Sequence, residues 1–122
     1  MTKTLVDGKD DKRFQVGGAA FVGVGPAFGK VGLIEDIGMD GLTFRYMDGD
    51  RPLNESYLDI FLTSGNCYLG KVPFETISDF ETDYTPFGSL VMRRCRVQFR
   101  ELTPQQTADL ERFICDHAGR EI

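Results

Sequence analysis

A chain of 122 residues suits one domain and hardly two, and its 41% hydrophobic and 27% charged residues supply one packed core and argue against disorder. The net charge of −5 denies it the basic field that non-specific DNA or RNA binding requires. No apolar run reaches the roughly 18 residues of a membrane span, and residues 1–7 lack the apolar centre of a signal peptide, so a cytoplasmic protein is expected.

Residues 1–12 are polar and charged and read as a flexible arm. Arg13-Phe14-Gln15-Val16 alternates apolar and polar, the start of a strand, and Gly17-Gly18 interrupts it as a bulge or tight bend. Residues 19–24 form the continuation or a second strand. Gly25-Pro26-Ala27-Phe28-Gly29 is a turn, because proline fixes φ and glycine permits positive φ. Residues 30–36 follow as a strand, and Gly38-Met39-Asp40-Gly41 turns again. Leu42, Phe44 and Tyr46 then alternate with Thr43, Arg45 and Met47, the period-two pattern of a half-buried strand.

After the loop Asp48-Gly49-Asp50-Arg51-Pro52, the segment 57–63 places Leu58, Ile60 and Leu62 on one face and Asp59 on the other. Ser64-Gly65-Asn66 is a short hairpin turn. Residues 67–83 read as a long, bent strand in which Pro73 calls for an edge position or a bulge. Thr85-Pro86-Phe87-Gly88 turns once more, and 90–99 is the last strand, with Cys95, Val97 and Phe99 on one face. The period then changes. Thr103 can cap a helix, Pro104 suits its first position and Gln106 completes a capping box. Leu110, Phe113, Ile114 and His117 fall on one helical face, and Gly119 marks the stop. Short strands closely spaced with turn signals, followed by one amphipathic helix, predict a mostly-β protein: a small antiparallel barrel closed by a C-terminal α-helix.

Charge is unevenly spread. Arg93, Arg94, Arg96 and Arg100 form a basic cluster, and Glu75, Asp79, Glu81 and Asp83 an acidic one. The two clusters either pair as a charged barrel face or leave Arg94 and Arg96 as the wall of an anion site or a partner-binding patch. Cys67, Cys95 and Cys115 are too far apart in sequence for a C-x-x-C pair and odd in number, which points to reduced core thiols rather than a disulfide framework or a zinc site. His117 has no evident partner. No nucleophile–base–orienter set, metal cluster, G-x-S-x-G or H-E-x-x-H occurs, so no enzyme is expected, nor any cofactor.

The order of features from Arg13-Phe14, through Asp36-Ile37-Gly38-Met39-Asp40-Gly41, to Arg93-Arg94-Cys95-Arg96-Val97-Gln98-Phe99 and Leu102-Thr103-Pro104 resembles a PilZ domain over roughly residues 9–117. The resemblance implies a six-stranded antiparallel β-barrel with a C-terminal α-helix, and a bacterial signalling module that binds the second messenger cyclic di-GMP. In such domains the ligand is held by R-x-x-x-R on the arm and [D/N]-x-S-x-x-G on a strand and its turn. The first maps to Lys9-Asp10-Asp11-Lys12-Arg13, which keeps the second arginine only. The second maps to Asp36-Ile37-Gly38-Met39-Asp40-Gly41, which keeps its aspartate and last glycine and has Gly38 in place of serine.

The implied ligand-binding set is therefore Lys9, Lys12, Arg13, Asp36, Gly38 and Gly41, with Arg94 and Arg96 as additional anion contacts. Arginine suits the ligand because its planar fork matches guanine O6 and N7 or a phosphate. Lys9 retains the charge but not the fork, and Asp10 and Asp11 oppose a phosphate. Lys12 can stand in for Lys9 if the arm shifts register. Asp36 would accept from the guanine N1–H and N2–H edge, and Gly41 would let the backbone come close. Loss of the serine hydroxyl removes about 1 kcal/mol and loss of the arginine fork about 1–3 kcal/mol. The leading expectation is a receptor or adaptor that passes the signal to a protein partner controlling motility, secretion or surface attachment. The alternatives are a PilZ-like adaptor that binds no nucleotide and works through protein contacts, and an unrelated small barrel.

Overall fold

The computed structural model describes residues 12–17, 20–25, 30–48, 56–64, 66–82 and 91–122. Among the described residues, seven strands and one helix follow in chain order: β1 (Phe14–Gln15), β2 (Ala20–Val24), β3 (Lys30–Ile37), β4 (Gly41–Asp48), β5 (Tyr57–Leu62), β6 (Cys67–Glu81), β7 (Val91–Phe99) and α1 (Pro104–His117). The arm as far as residue 11, with Lys9, lies outside the described residues. So do Gly18, the turn residues 26–29, the loop at 49–52, Gly65 and the turn at 85–88.

Every pairing is antiparallel. The order β3-β2-β5-β6-β7-β4 returns to β3 through the β3–β4 ladder, so six strands close into a barrel and β1 lies outside it, paired to the end of β3. Closure leaves few unpaired backbone groups and one interior. Alternation fills that interior. Val22 and Val24 of β2, Leu42, Phe44 and Tyr46 of β4, Leu58 and Ile60 of β5, and Cys95, Val97 and Phe99 of β7 are all buried. The antiparallel barrel with its C-terminal helix is the architecture expected from the sequence.

Two irregularities shape the outside. A bulge between Ile34 and Asp36 keeps Ile34 and Ile37 both inward, so two consecutive acids, Glu35 and Asp36, both lie outside. On β6 the pairing with β5 shifts next to Pro73, which faces Tyr57 at the start of β5. Lys71 there takes a positive φ of 50°, and its N–H donates to Asp59 Oδ1. Pro73 thus sits beside a bulge, on a strand paired on both sides.

The helix starts as its capping box demands. Thr103 Oγ1 accepts the N–H of Gln106, and Gln106 Oε1 accepts the N–H of Thr103. Gln106 Nε2 also donates to the carbonyls of Gly70 and Lys71, tying the helix to β6. Leu110 and Phe113 are buried, and Phe113 and His117 pack against Tyr68. The helix ends one residue before Ala118, which is extended, rather than on Gly119. Beyond it the C-terminus runs back along β1: Gly119 N–H donates to Gln15 O, Gln15 N–H to Arg120 O, and Ile122 N–H to Arg13 O.

Candidate functional site

The residues singled out in the sequence meet where the arm reaches the barrel. Gly38 N–H donates to Gly41 O and closes the β3–β4 hairpin around Met39 and Asp40. β1 pairs Phe14 with Ile37 and Gln15 with Asp36, which carries Arg13 across the root of that hairpin. Arg13 Nη1 donates to Asp36 Oδ1 at 2.9 Å, although the two residues are 23 positions apart. Arg13 Nε stands 3.4 Å from Asp40 Oδ1, close enough for charge attraction but without hydrogen-bond geometry, so both of these buried atoms lack a hydrogen-bond partner. Side-chain exposures of 14% for Arg13 and 22% for Asp36 make this a partly desolvated pair, stronger than one on open surface.

Gly38 is forced by packing. A Cβ there would run into the carbonyl of Lys12 and press on Arg13 Cδ. Its φ is not in the left-handed region, so what residue 38 supplies is space rather than a turn conformation. Gly41 is likewise a close approach, but to the barrel: a Cβ would meet the Val97 carbonyl on β7. Lys12 is exposed and makes no ion pair among the described residues.

The outward arginines of β7 have different fates. Arg94 binds Glu35 in bidentate fashion, Nε to Oε1 at 2.8 Å and Nη2 to Oε2 at 3.2 Å. Arg45 Nε joins the same carboxylate at 2.7 Å. The hydrogen bonds to Glu35 raise the Arg94 pKa above its ordinary value. Arg96 is exposed and makes no ion pair among the described residues. It lies in a cross-strand row from Asp36 through Thr43 to Arg96, about 10 Å from Asp36 by strand spacing.

Arg93 points inward, where sequence reasoning offered a charged barrel face. Its Nε donates to Asp79 Oδ1 at 2.8 Å, and Tyr46 Oη donates to Asp79 Oδ2 at 2.6 Å. Side-chain exposures of 7% and 5% make Arg93–Asp79 a buried pair. The signal lay in parity, since Arg93 is two residues from inward Cys95. The expected pairing of basic and acidic clusters holds for Arg93 with Asp79 and Arg100 with Glu75, while Arg94 turns to Glu35 instead. Among the described residues no three His, Cys, Asp or Glu side chains are placed to hold a metal ion, and no helix is long and apolar enough to cross a membrane.

No protein-family model and no curated protein matches the sequence. The fold is similar to the PilZ domain with c-di-GMP of YcgR from Escherichia coli. The TM-score is 0.65 and the identity 12%, covering 88% of this chain and 89% of that one. It is also similar to YcgR in complex with c-di-GMP from Escherichia coli. There the TM-score is 0.60 and the identity 13%, covering 86% of this chain and 44% of that one. At such identities the likeness establishes architecture alone: this chain has the fold of a PilZ domain.

Proposed function

We propose that this chain is a PilZ-type receptor for cyclic di-GMP, with the ligand seated at the junction of the arm and the β3–β4 hairpin. The observation that carries the reading is the Arg13–Asp36 contact. The two charged residues retained from the family's two motifs, distant in sequence, stand together on the outside of the barrel. One offers a cationic fork and the other a carboxylate, which is the pair a guanine base calls for. Asp36 accepts from N1–H and N2–H, while Arg13 bonds O6 and N7 or a phosphate.

In the free protein these groups satisfy one another, so binding is an exchange. The Arg13–Asp36 pair opens and each member takes a ligand group of matching charge and geometry. The net gain is smaller than if both groups were free, which favours a modest affinity. Arg96, in the cross-strand row of Asp36, supplies positive charge for a phosphate, and Lys12 adds a second cation at the end of the arm. The protein binds its ligand without transforming it and acts in the cytoplasm. It passes the signal to a protein partner by changing how the arm lies against the barrel.

A second reading, a PilZ-type adaptor that binds no nucleotide, is favoured by Gly38. The Lys12 carbonyl fills the space where the family's serine would stand, and Arg13 is already held by two carboxylates. The experiment that separates the readings is a thermal-shift titration with cyclic di-GMP beside cyclic di-AMP. The receptor reading expects stabilisation by the guanine ligand only, because adenine lacks the N1–H that Asp36 accepts. No stabilisation by either at millimolar ligand favours the adaptor.

A further inference from the structure

Two carboxylates flank Arg13, and they receive different things from it. Asp36 Oδ1 accepts a hydrogen bond from Nη1 at 2.9 Å. Asp40 Oδ1 stands 3.4 Å from Nε, and these two buried atoms have no hydrogen-bond partner. A donor and an acceptor of opposite charge, desolvated side by side and still unbonded, are costly as they stand. A small turn of the Nε–H onto Asp40 removes that cost. The guanidinium is rigid and planar, so the bond from Nη1 to Asp36 also sets the direction of Nε–H and holds it off.

Arg13 is the part free to turn. The Asp40 main chain is fixed to the barrel, since the Phe99 N–H of β7 donates to its carbonyl, and the Gly38–Gly41 hydrogen bond closes the turn in which it sits. The stem of Arg13 passes over residue 38, where a Cβ would come within 3.2 Å of Arg13 Cδ. With glycine beneath it, no side chain at residue 38 stands in the way of the shift. Position 40 falls on an unspecified residue of the family's D-x-S-x-x-G motif, so the resemblance gives Asp40 no role. We infer that Asp40 is a positioning residue of the nucleotide site. When the Arg13–Asp36 pair opens, Arg13 turns its Nε–H onto Asp40. Nη1 and Nη2 are then presented to guanine O6 and N7, and Asp36 is left for the N1–H and N2–H of the same base. For its ligand the inference rests on the receptor reading. The Arg13–Asp40 hydrogen bond exists in the complex and not in the free protein, so it adds to affinity and not to the stability of the free chain.

The test compares wild type, Asp40→Ala and Asp40→Asn by calorimetric titration with cyclic di-GMP and by urea unfolding without ligand. Asp40→Ala is expected to bind about tenfold more weakly, yet to unfold at a midpoint equal to or above that of the wild type, because it removes an unsatisfied buried acceptor. Asp40→Asn keeps an oxygen that accepts from Nε–H without the charge, and its affinity is expected to fall between the two. A ligand-free arm reads the Arg13 Nε–H by heteronuclear NMR. Asp36→Ala releases Nη1, so the Nε–H is expected to shift downfield and exchange more slowly with solvent than in the wild type, and adding Asp40→Ala is expected to abolish the change. Absence of heat with the wild type would sink the receptor reading alone, and the turn of Arg13 onto Asp40 is then decided by the ligand-free arm. An Asp40→Ala variant that binds as tightly as the wild type, or that loses stability along with affinity, would overturn the inference, as would an Nε–H indifferent to Asp36→Ala.

Discussion

The carbonyl of Lys12 lies where a side chain on Gly38 would have to stand. The end of the arm and the β3–β4 hairpin therefore fit together only with glycine at position 38. The contact sets how Arg13 enters the barrel surface, and through Arg13 it sets the state of Asp36.

Restoring the family's serine makes the point testable. Gly38→Ser is expected to destabilise the chain by about 1–3 kcal/mol in urea unfolding, because the backbone at Lys12 has to move to admit a Cβ. It is also expected to weaken cyclic di-GMP binding rather than strengthen it, since the displaced arm takes Arg13 with it. A variant as stable as the wild type with tighter binding would contradict this account of the hairpin.

The buried pair inside the barrel gives a second prediction. Asp79→Ala leaves the Arg93 guanidinium uncompensated in the interior and is expected to cost about 3–5 kcal/mol. Tyr46→Phe removes one donor while the ion pair survives, at about 1–3 kcal/mol. Replacing both charges, as in Arg93→Met with Asp79→Leu, is expected to cost less than Asp79→Ala alone. Urea midpoints of the three variants check the ranking.

Stability is expected to depend on alkaline pH through the same region. Burial, with the Asp79 carboxylate nearby, pushes the Cys95 thiol up to about 12, and burial with the hydrogen bond to Asp79 raises the Tyr46 phenol above its ordinary value. Both shifts favour the neutral form in the folded state. Both contributions are intact below about 8.5; that of Cys95 fades as pH climbs from there towards its folded value, and that of Tyr46 fades only above the ordinary phenol value of about 10. Between pH 8.5 and 10.5 the slope from Cys95 is on the order of 1 kcal/mol per pH unit. Cys95→Ala is expected to flatten the fall in urea midpoint over that range, whereas parallel curves for the two proteins would refute the assignment.

Much of this architecture is legible in the sequence because it is local. Leu42, Phe44 and Tyr46 announce a strand by their period, and Thr103, Pro104 and Gln106 announce a helix start by their chemistry. What is not legible is non-local. The bulge that turns both Glu35 and Asp36 outward arises from pairing with β4, and no residue pattern within β3 marks it. The return of residues 119–122 along β1 depends on where α1 ends in space. The motif residues Arg13 and Asp36 could be named from the resemblance, but that they neutralise one another could not. Nor could the reason residue 38 is glycine, which is a clash with a carbonyl 26 positions earlier in the chain.

The most direct test of the receptor account is a calorimetric titration of the chain with cyclic di-GMP at moderate salt, run for the wild type, Arg13→Ala, Asp36→Asn and the double variant. The account predicts micromolar binding by the wild type and a loss of about tenfold or more in each single variant. The double variant should lose less than the product of the two, since both residues act on one guanine. Absence of heat with the wild type, or binding untouched by Arg13→Ala, would contradict it.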